Sequence, residues 1–186
     1  SSSLPPATAR LARSCADARA GSGTMAFMSA VSHRSPADRY ARTARSAARR
    51  VMRGYSTSFS LASSALPGRI RAHIEAVYAM VRVADELVDG AWEGADPAAI
   101  REELDRFESV IAGAVASGFS TDHVAHAFAQ TARHTGIGPA QWEPFFASMR
   151  SDIPESTPTS AVLTPAQLAA YIHGSAEVVG EMCGLV

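Results

Sequence analysis

The segment from Tyr78 to Asp89 constrains the fold most, because it places a charged stripe on an otherwise apolar helical pattern. Arg82, Asp85 and Asp89 are spaced by three and four residues, so a helix brings them to a single face. Apolar residues recur at helical spacing on an adjoining face and predict a core-facing stripe. These residues are Ile70, Ile74, Val77, Val81, Ala84 and Val88. Charges beside such a core need partners.

Asp85 and Asp89 lie one helical turn apart, and two such carboxylates can share a magnesium ion. Magnesium takes oxygen ligands and keeps positions for water and phosphate, so the spacing suggests diphosphate chemistry. The same spacing is compatible with a simple ion pair between Asp85 and Arg82, or with solvation of a helix end.

Helix signals cover most of the chain, and neither a strand pattern nor an internal repeat is evident, so we predict an all-α fold. Ser35, Asp96, Ser120 and Thr164 are predicted to open helices, and a proline directly follows Ser35, Asp96 and Thr164. The predicted segments are 35–53, a Ser-rich element at 54–66, 69–89, 96–118, 120–136, a helix from 139, a loop at 153–163, and a last helix at 164–186. Trp142, Phe145, Phe146 and Met149 are expected in the core.

The chain has 186 residues, of which 47% are hydrophobic, enough for one helical domain. Residues 1–53 hold ten arginines and two acids, whereas the rest of the chain is net acidic. We expect 1–34 to be a disordered leader and 35–186 to be the domain. Such a leader can also resemble an organelle transit peptide or contact anionic lipid. Nucleic-acid binding is not expected, because only one aromatic residue, Phe27, lies among residues 1–34.

No apolar run reaches the roughly 18 residues that a membrane span requires. We therefore expect a cytoplasmic protein, with peripheral membrane contact left open. Cys15 and Cys183 have no metal-ligand spacing and weakly indicate a reducing compartment. His123 and His126 have no third metal ligand in sequence, so surface or capping roles are favoured for them.

Three segments together resemble the squalene and phytoene synthase family. The first runs from Tyr55-Ser56-Thr57-Ser58-Phe59 through a Leu-Pro turn to the charged helix of residues 78–89. The second, 145–152, resembles a helix ending in Met-x-x-Asp. The third, 171–180, reads Tyr-Ile-His-Gly-Ser-Ala-Glu-Val-Val-Gly, and its Gly-Ser-Ala form looks most like bacterial phytoene synthases. The likeness runs from about Pro36 to Val186.

The resemblance implies an isoprenoid synthase-type helical bundle that condenses two geranylgeranyl diphosphates head to head into phytoene and releases diphosphate. It implies Arg82, Asp85 and Asp89 as catalytic residues, with Asp85 and Asp89 holding Mg²⁺ or Mn²⁺. Glu86, where an aspartate is commoner, stays outside this set. The implied substrate-binding residues are Ser56, Ser58, Phe59, Tyr78, Tyr171, Ser175 and Val179.

The stripe Tyr171, Ser175, Val179 and Cys183, at steps of four, would line an apolar, water-poor tunnel for carbocations. Without the resemblance, the same stripe would be interpreted as ordinary hydrophobic core. The chain stops within an apolar helical pattern, and no second Asp-x-x-x-Asp follows the first. We therefore expect a bundle incomplete at its C-terminus, inactive as it stands.

Two alternatives stay open. Within the same class, the enzyme would make squalene or dehydrosqualene from farnesyl diphosphate, and only squalene formation would require NADPH. In a different class, the chain would be a non-catalytic helical fragment that binds a prenyl lipid or a partner protein. The oligomeric state cannot be predicted from these patterns.

Overall fold

The helix carrying the charged stripe is the third of eight α-helices in the described part of the chain, residues 35–153 and 163–186 of a computed structural model. The helices are α1 (Pro36–Tyr55), α2 (Thr57–Ser64), α3 (Gly68–Val88), α4 (Pro97–Ser117), α5 (His123–Thr135), α6 (Pro139–Asp152), α7 (Pro165–Ile172) and α8 (Val178–Gly184). A π-helical turn, His173–Glu177, joins α7 to α8. The described residues contain no strand, so the all-α prediction is confirmed.

Capping residues begin and end several helices where the sequence predicted. Asp96 accepts a hydrogen bond from the Ala98 amide at 2.8 Å and opens α4. Gly118 ends α4 with a φ of 79°, a left-handed conformation that glycine adopts without steric cost. Thr164 caps α7 and shares a capping box with Gln167.

The predicted cap at Ser120 was wrong, because Asp122 opens α5 instead. The Asp122 carboxylate accepts a hydrogen bond from the Ala125 amide at 2.9 Å. The Ser120 hydroxyl accepts from the Asp122 amide at 3.1 Å, so it supports the capping residue from outside the helix. Tyr40 of α1 donates a hydrogen bond to the Ser120 carbonyl at 2.8 Å and ties this loop to the bundle.

The main core lies between α3, α4, α5, α6 and α8. Its aromatic centre is as predicted: Phe145 and Phe146 are buried, and Trp142 packs edge-on against Phe128 with ring centroids 6.2 Å apart. A second cluster consists of alanines from α1, α3 and α5, whose small side chains let the three helices approach closely. The described residues between Pro36 and Val186 form one compact unit.

The apolar stripe of α3 is buried for most of its length but not at its first turn. Ile74, Val77, Ala84 and Val88 are buried, and Val81 packs against the main core from a half-buried position. Ile70 was expected in the core but remains 36% exposed, because the first turn of α3 lies at the surface. The stripe therefore fixes the orientation of the helix from Ile74 onward.

Among the described residues, no helix is long and apolar enough to cross a membrane. The predicted leader, 1–34, lies outside the described residues, as does most of the predicted loop of 153–163. Ile153 ends α6 in a buried position.

Candidate functional site

Arg82 is the centre of the charged stripe on α3. Its guanidinium donates to the Asp85 carboxylate at 2.5 Å and to the Glu86 carboxylate. It also lies over the ring of Tyr55, with Cζ 4.8 Å from the ring centroid. The ion pair that the sequence left as an alternative is therefore present, and Glu86, left outside the predicted set, is the second partner of Arg82.

Asp89 occupies a different position from Asp85. Asp89 is the C-cap of α3, and its backbone amide donates a hydrogen bond to the Asp85 carbonyl at 2.9 Å. Asp89 is exposed to solvent. Asp85 is half-buried. Burial and the nearby Asp89 carboxylate raise the pKa of Asp85, and the Arg82 guanidinium opposes them. The predicted pair thus sits at the open end of the helix, with one carboxylate partly desolvated.

Asp152 and Tyr171 form the opposing wall of the site. The Tyr171 hydroxyl donates to the Asp152 carboxylate at 3.3 Å, joining the end of α6 to α7. Burial raises the pKa of Asp152, and the charge of Asp89 raises it further. The pKa of Tyr171 is raised by burial and by Asp152, Asp85 and Asp89. These mutual effects identify Asp85, Asp89, Asp152 and Tyr171 as one electrostatic cluster.

A close helix crossing positions Tyr171. A Cβ atom on Gly174 would lie 2.0 Å from the Ser148 hydroxyl and 2.3 Å from the Pro144 carbonyl oxygen, so only glycine fits. The Ser148 hydroxyl donates to the Tyr171 carbonyl at 3.2 Å. In the π turn, the Val178 amide bonds to the His173 carbonyl five residues earlier. The turn and the crossing together set the position of the Tyr171 wall.

The π turn also affects the predicted stripe of the last helix. In a regular α-helix with 3.6 residues per turn, residues four apart do not point in quite the same direction, and the offset grows along the helix. A π turn has more residues per turn, so it reduces this offset. Tyr171, Ser175, Val179 and Cys183 are accordingly all half-buried, beside the buried series Gly174, Val178 and Met182. Val179 and Cys183 pack against the main core. The contacts of these two residues therefore fit the alternative that they are ordinary core residues and do not line a tunnel.

The Ser-rich element lies beside the Arg82 end of α3. Ser56 is the N-cap of α2, and its hydroxyl oxygen accepts a hydrogen bond from the Phe59 amide at 3.1 Å. Phe59 is 46% exposed and stacks on Tyr78, with ring centroids 5.5 Å apart. Ser58 lies exposed in the first turn of α2. The structure therefore brings Phe59 and Tyr78 into contact and gives Ser56 a structural bond.

The carboxylates suit a magnesium ion that is shared with a ligand. Within the part of the chain that the structure describes, no group of three His, Cys, Asp or Glu side chains could hold a metal by itself. Magnesium, however, is commonly held by one or two carboxylates together with substrate phosphates and water. The repulsion that Asp89 exerts on Asp85 and Asp152 is what a divalent cation would relieve.

Asp152 is the residue that the predicted site set missed. It closes the Met-x-x-Asp segment noted in the sequence, but 67 positions separate it from Asp85 and no spacing rule links them. The signal was an acid at the end of an otherwise apolar helix. A groove of about 560 Å³ opens beside Asp152 and Tyr171, between α6 and α7.

Comparisons with known proteins show the family and the fold of the chain. A family model described as squalene/phytoene synthase matches residues 52–186. No curated protein matches the sequence. A solved crystal structure of a dehydrosqualene synthase in complex with ligand superposes with a TM-score of 0.63 at 24% identity, over 80% of this chain and 48% of that one. The likeness shows a shared helical fold, and the chain spans about half the length of that structure.

Proposed function

Because the chain belongs to the squalene/phytoene synthase family, we propose that it contributes its carboxylate cluster to an active site for head-to-head condensation of two isoprenyl diphosphates. The observation that supports this most is the cluster of Asp85, Asp89, Asp152 and Tyr171 beside Arg82. It combines carboxylates suited to a magnesium–diphosphate complex with a cation and a hydroxyl at one end of the bundle.

Asp85 and Asp89 would hold Mg²⁺, or Mn²⁺ in its place, and the bound cation would neutralise the diphosphate that leaves the first substrate. Arg82 would add its charge to the same group, and its two carboxylate partners keep it oriented. The departing diphosphate leaves an allylic cation, which the double bond of the second substrate attacks. Asp89, at the exposed helix end, is open to a ligand from solvent.

The first coupling releases one proton and gives a cyclopropyl diphosphate, and Asp152 would be the group that accepts this proton. Rearrangement with loss of the second diphosphate and of a second proton would then give the hydrocarbon. The raised pKa of Asp152 makes the carboxylate a stronger base than an ordinary aspartate. Tyr171, whose own pKa is raised, keeps its proton at neutral pH and donates to that carboxylate. The hydrogen bond would hold the carboxylate in a fixed position relative to the substrate.

Phe59 and Tyr78 would form an apolar wall near the reacting end of the substrate, since their stacked rings lie beside the Arg82 end of α3. Ser56 and Ser58 would donate hydroxyl hydrogens to a diphosphate, which is compatible with the bond that the Ser56 oxygen accepts. Ser175 would lie deeper along the hydrocarbon chain, whereas Val179 packs against the main core.

The substrate we propose is geranylgeranyl diphosphate, giving phytoene and placing the reaction in carotenoid biosynthesis. This preference rests on the Gly-Ser-Ala form of residues 174–176. Farnesyl diphosphate, giving dehydrosqualene, or squalene when NADPH is supplied, is the alternative within the same chemistry.

The test is a product assay on this chain and on the product of its complete reading frame, with each radiolabelled diphosphate and Mg²⁺. We expect a C40 hydrocarbon from the complete reading frame, and its loss when EDTA replaces Mg²⁺. A C30 product would transfer the proposal to the farnesyl substrate. Magnesium-dependent diphosphate binding without any hydrocarbon product from either protein would instead favour the non-catalytic, prenyl-lipid-binding alternative.

A further inference from the structure

A second polar groove lies at the other end of α3, between α1, α3 and α5. It encloses about 660 Å³, and five of its lining residues are basic: Arg45, Arg69, His73, Arg133 and His134. No acid lines it. Arg69 and Asp85 are 16 residues apart on one helix, so roughly 24 Å of helix axis separates this groove from the carboxylate cluster.

Two arginines of this groove have neither a hydrogen-bond partner nor an ion-pair partner among the described residues. Arg133 donates to the Val115 carbonyl at 2.8 Å and thereby supports the end of α4. Arg45 and Arg69 are exposed, and neither forms a hydrogen bond or an ion pair with any residue in the described ranges. On the other side of α3, by contrast, Arg71 lies 3.9 Å from the Glu75 carboxylate.

The histidines of the groove show that its positive charge is concentrated. His73 and His134 stack with ring centroids 5.1 Å apart and an interplanar angle of 13°. His73 Nδ1 lies 3.0 Å from the hydroxyl of Thr131, which fixes the ring. Burial, His134, Arg45 and Arg69 all lower the pKa of His73, with burial the largest cause. A bound anion would oppose three of these four causes.

We propose that this groove is a binding site for a phosphoryl group, separate from the carboxylate cluster, with Arg45 and Arg69 as its main ligands. Two guanidinium groups suit the planar, bidentate recognition of phosphate oxygens. The stacked His73 and His134 would add donors at the inner wall. The phosphoryl group would belong either to a free phosphate or diphosphate or to an anionic lipid headgroup, since both present the same oxygens.

The first experiment measures binding of inorganic diphosphate to the full chain by calorimetry, in EDTA. Without Mg²⁺, the carboxylates around Asp85 repel diphosphate, so this condition separates the basic groove from the proposed catalytic site. The double variant Arg45→Gln/Arg69→Gln should weaken binding at least about tenfold, because each guanidinium contributes charge-assisted hydrogen bonds.

The matched control is Arg50→Gln/Arg101→Gln, which removes the same charge at exposed positions outside the groove. It should change the affinity less than about twofold at moderate salt, where distant charges are screened. An equal loss in both double variants would show nonspecific attraction and overturn the proposal. Far-UV circular dichroism of each variant checks that the helices are retained.

A second arm uses vesicles containing phosphatidylglycerol, with phosphatidylcholine vesicles as the uncharged reference. Binding to the charged vesicles that depends on Arg45 and Arg69, with no detectable affinity for free diphosphate, assigns the site to a lipid headgroup. Diphosphate binding without vesicle binding assigns it to a soluble phosphate. If neither ligand binds in a manner that depends on these arginines, the proposal is wrong.

A third readout follows the His73 imidazole by NMR. Saturating ligand should raise the pKa of His73, because the bound anion offsets the nearby guanidinium charges. The other ionisable group in stacking contact is His134, whose signal is followed in the same spectra. An unchanged pKa at saturation would contradict binding at this groove even if calorimetry detected heat.

Discussion

The two walls of the candidate site are built in different ways. One wall lies on α3 alone, where Arg82, Asp85 and Asp89 are placed by helical spacing. The other wall requires α6 to meet α7 and the π turn, and it exists only because Gly174 lets the two backbones approach. The first wall therefore tolerates changes in packing, whereas the second depends on a single crossing.

This difference separates residues that are expected to affect function from residues that are expected to affect folding. Substitutions on the α3 wall should change function while the fold persists, because these side chains are half-buried or exposed and contribute little to the core. Substitutions at the crossing should affect the fold first and function through it.

The largest effect is expected from Asp85→Asn. In the product of the complete reading frame, this variant should lower kcat about 10³-fold, roughly 4 kcal/mol of transition-state stabilisation, because a neutral amide is a poor ligand for Mg²⁺ and a leaving diphosphate. The measurement is turnover of geranylgeranyl diphosphate at saturating Mg²⁺. The thermal midpoint should move by only a few degrees.

Glu93→Gln is the control for Asp85→Asn, since Glu93 is an exposed acid that follows the same helix. Its turnover should match that of the unmodified protein. If Asp85→Asn retained turnover, the α3 wall would have no catalytic role. If Asp85→Asn unfolded the protein instead, the α3 wall would be needed for folding, and the proposed difference between the two walls would be wrong.

The second prediction addresses the crossing with Gly174→Ala. The added methyl group would meet the Ser148 hydroxyl and the Pro144 carbonyl at impossible distances. The helices must then separate, at a cost of about 3 kcal/mol in the free energy of unfolding. Urea denaturation measures this loss. The Tyr171–Asp152 hydrogen bond should break with it, seen as a fall in the pKa of Tyr171 in a fluorescence titration.

Replacing Ser148 as well helps to locate the cause. Ser148→Gly removes the hydroxyl but leaves the Pro144 carbonyl in place, so the double variant should recover less than half of the lost stability. Full recovery would assign the clash to the side chain and leave the backbone approach without a role. No loss in Gly174→Ala would show that the crossing is loose.

The α3 wall and the helix caps could be predicted from sequence because their rules are local. Periodicity placed Ile74, Val77 and Ala84 in the core, and Asp96 and Gly118 marked both ends of α4. The error at Ser120 has the same origin. Two potential capping residues lie two positions apart there, and sequence rules do not decide which one adopts the cap geometry.

The second wall could be predicted only in part. Tyr171 belonged to a recognisable motif, but the participation of Asp152 depends on α6 crossing α7, and a contact between distant segments has no spacing signal. The π turn also escaped prediction, because it is stabilised by tertiary contacts such as the Ser148–Tyr171 bond. The basic groove was missed because its arginines come from separate helices.

The third prediction concerns Asp152→Asn, which preserves an acceptor for the Tyr171 hydroxyl. The raised pKa of Asp152 means that its charged form is penalised in the folded state. The stability that proton binding gives is fully present below the unfolded-state pKa and is lost as pH rises through the folded-state pKa. At pH 7 the asparagine variant should therefore be more stable, by about 1 kcal/mol or less, since solvent screens a half-buried group.

The pH profile distinguishes this cause from a packing effect. The advantage of Asp152→Asn should shrink as pH falls through the raised folded-state pKa of Asp152, and it should vanish in acid where the aspartate is protonated. Glu102→Gln, at an exposed position on α4, should show no such dependence. An advantage that persists unchanged in acid would assign the effect to packing and would remove the electrostatic link between the two walls.

The smallest effect is expected from Gly180→Ala, which lies six residues after Gly174 on the same terminal helical segment. Nothing lies within 4 Å of a Cβ atom built on Gly180, and the residue is exposed. Alanine loses less backbone entropy than glycine in a helix, so stability should rise by about 0.5 kcal/mol. Because Gly174→Ala and Gly180→Ala add the same methyl group, opposite signs in urea denaturation would locate the packing constraint at the crossing itself. A loss at both positions would mean that the whole terminal helix is held close, and the second wall would then depend on an extended contact and not on one glycine.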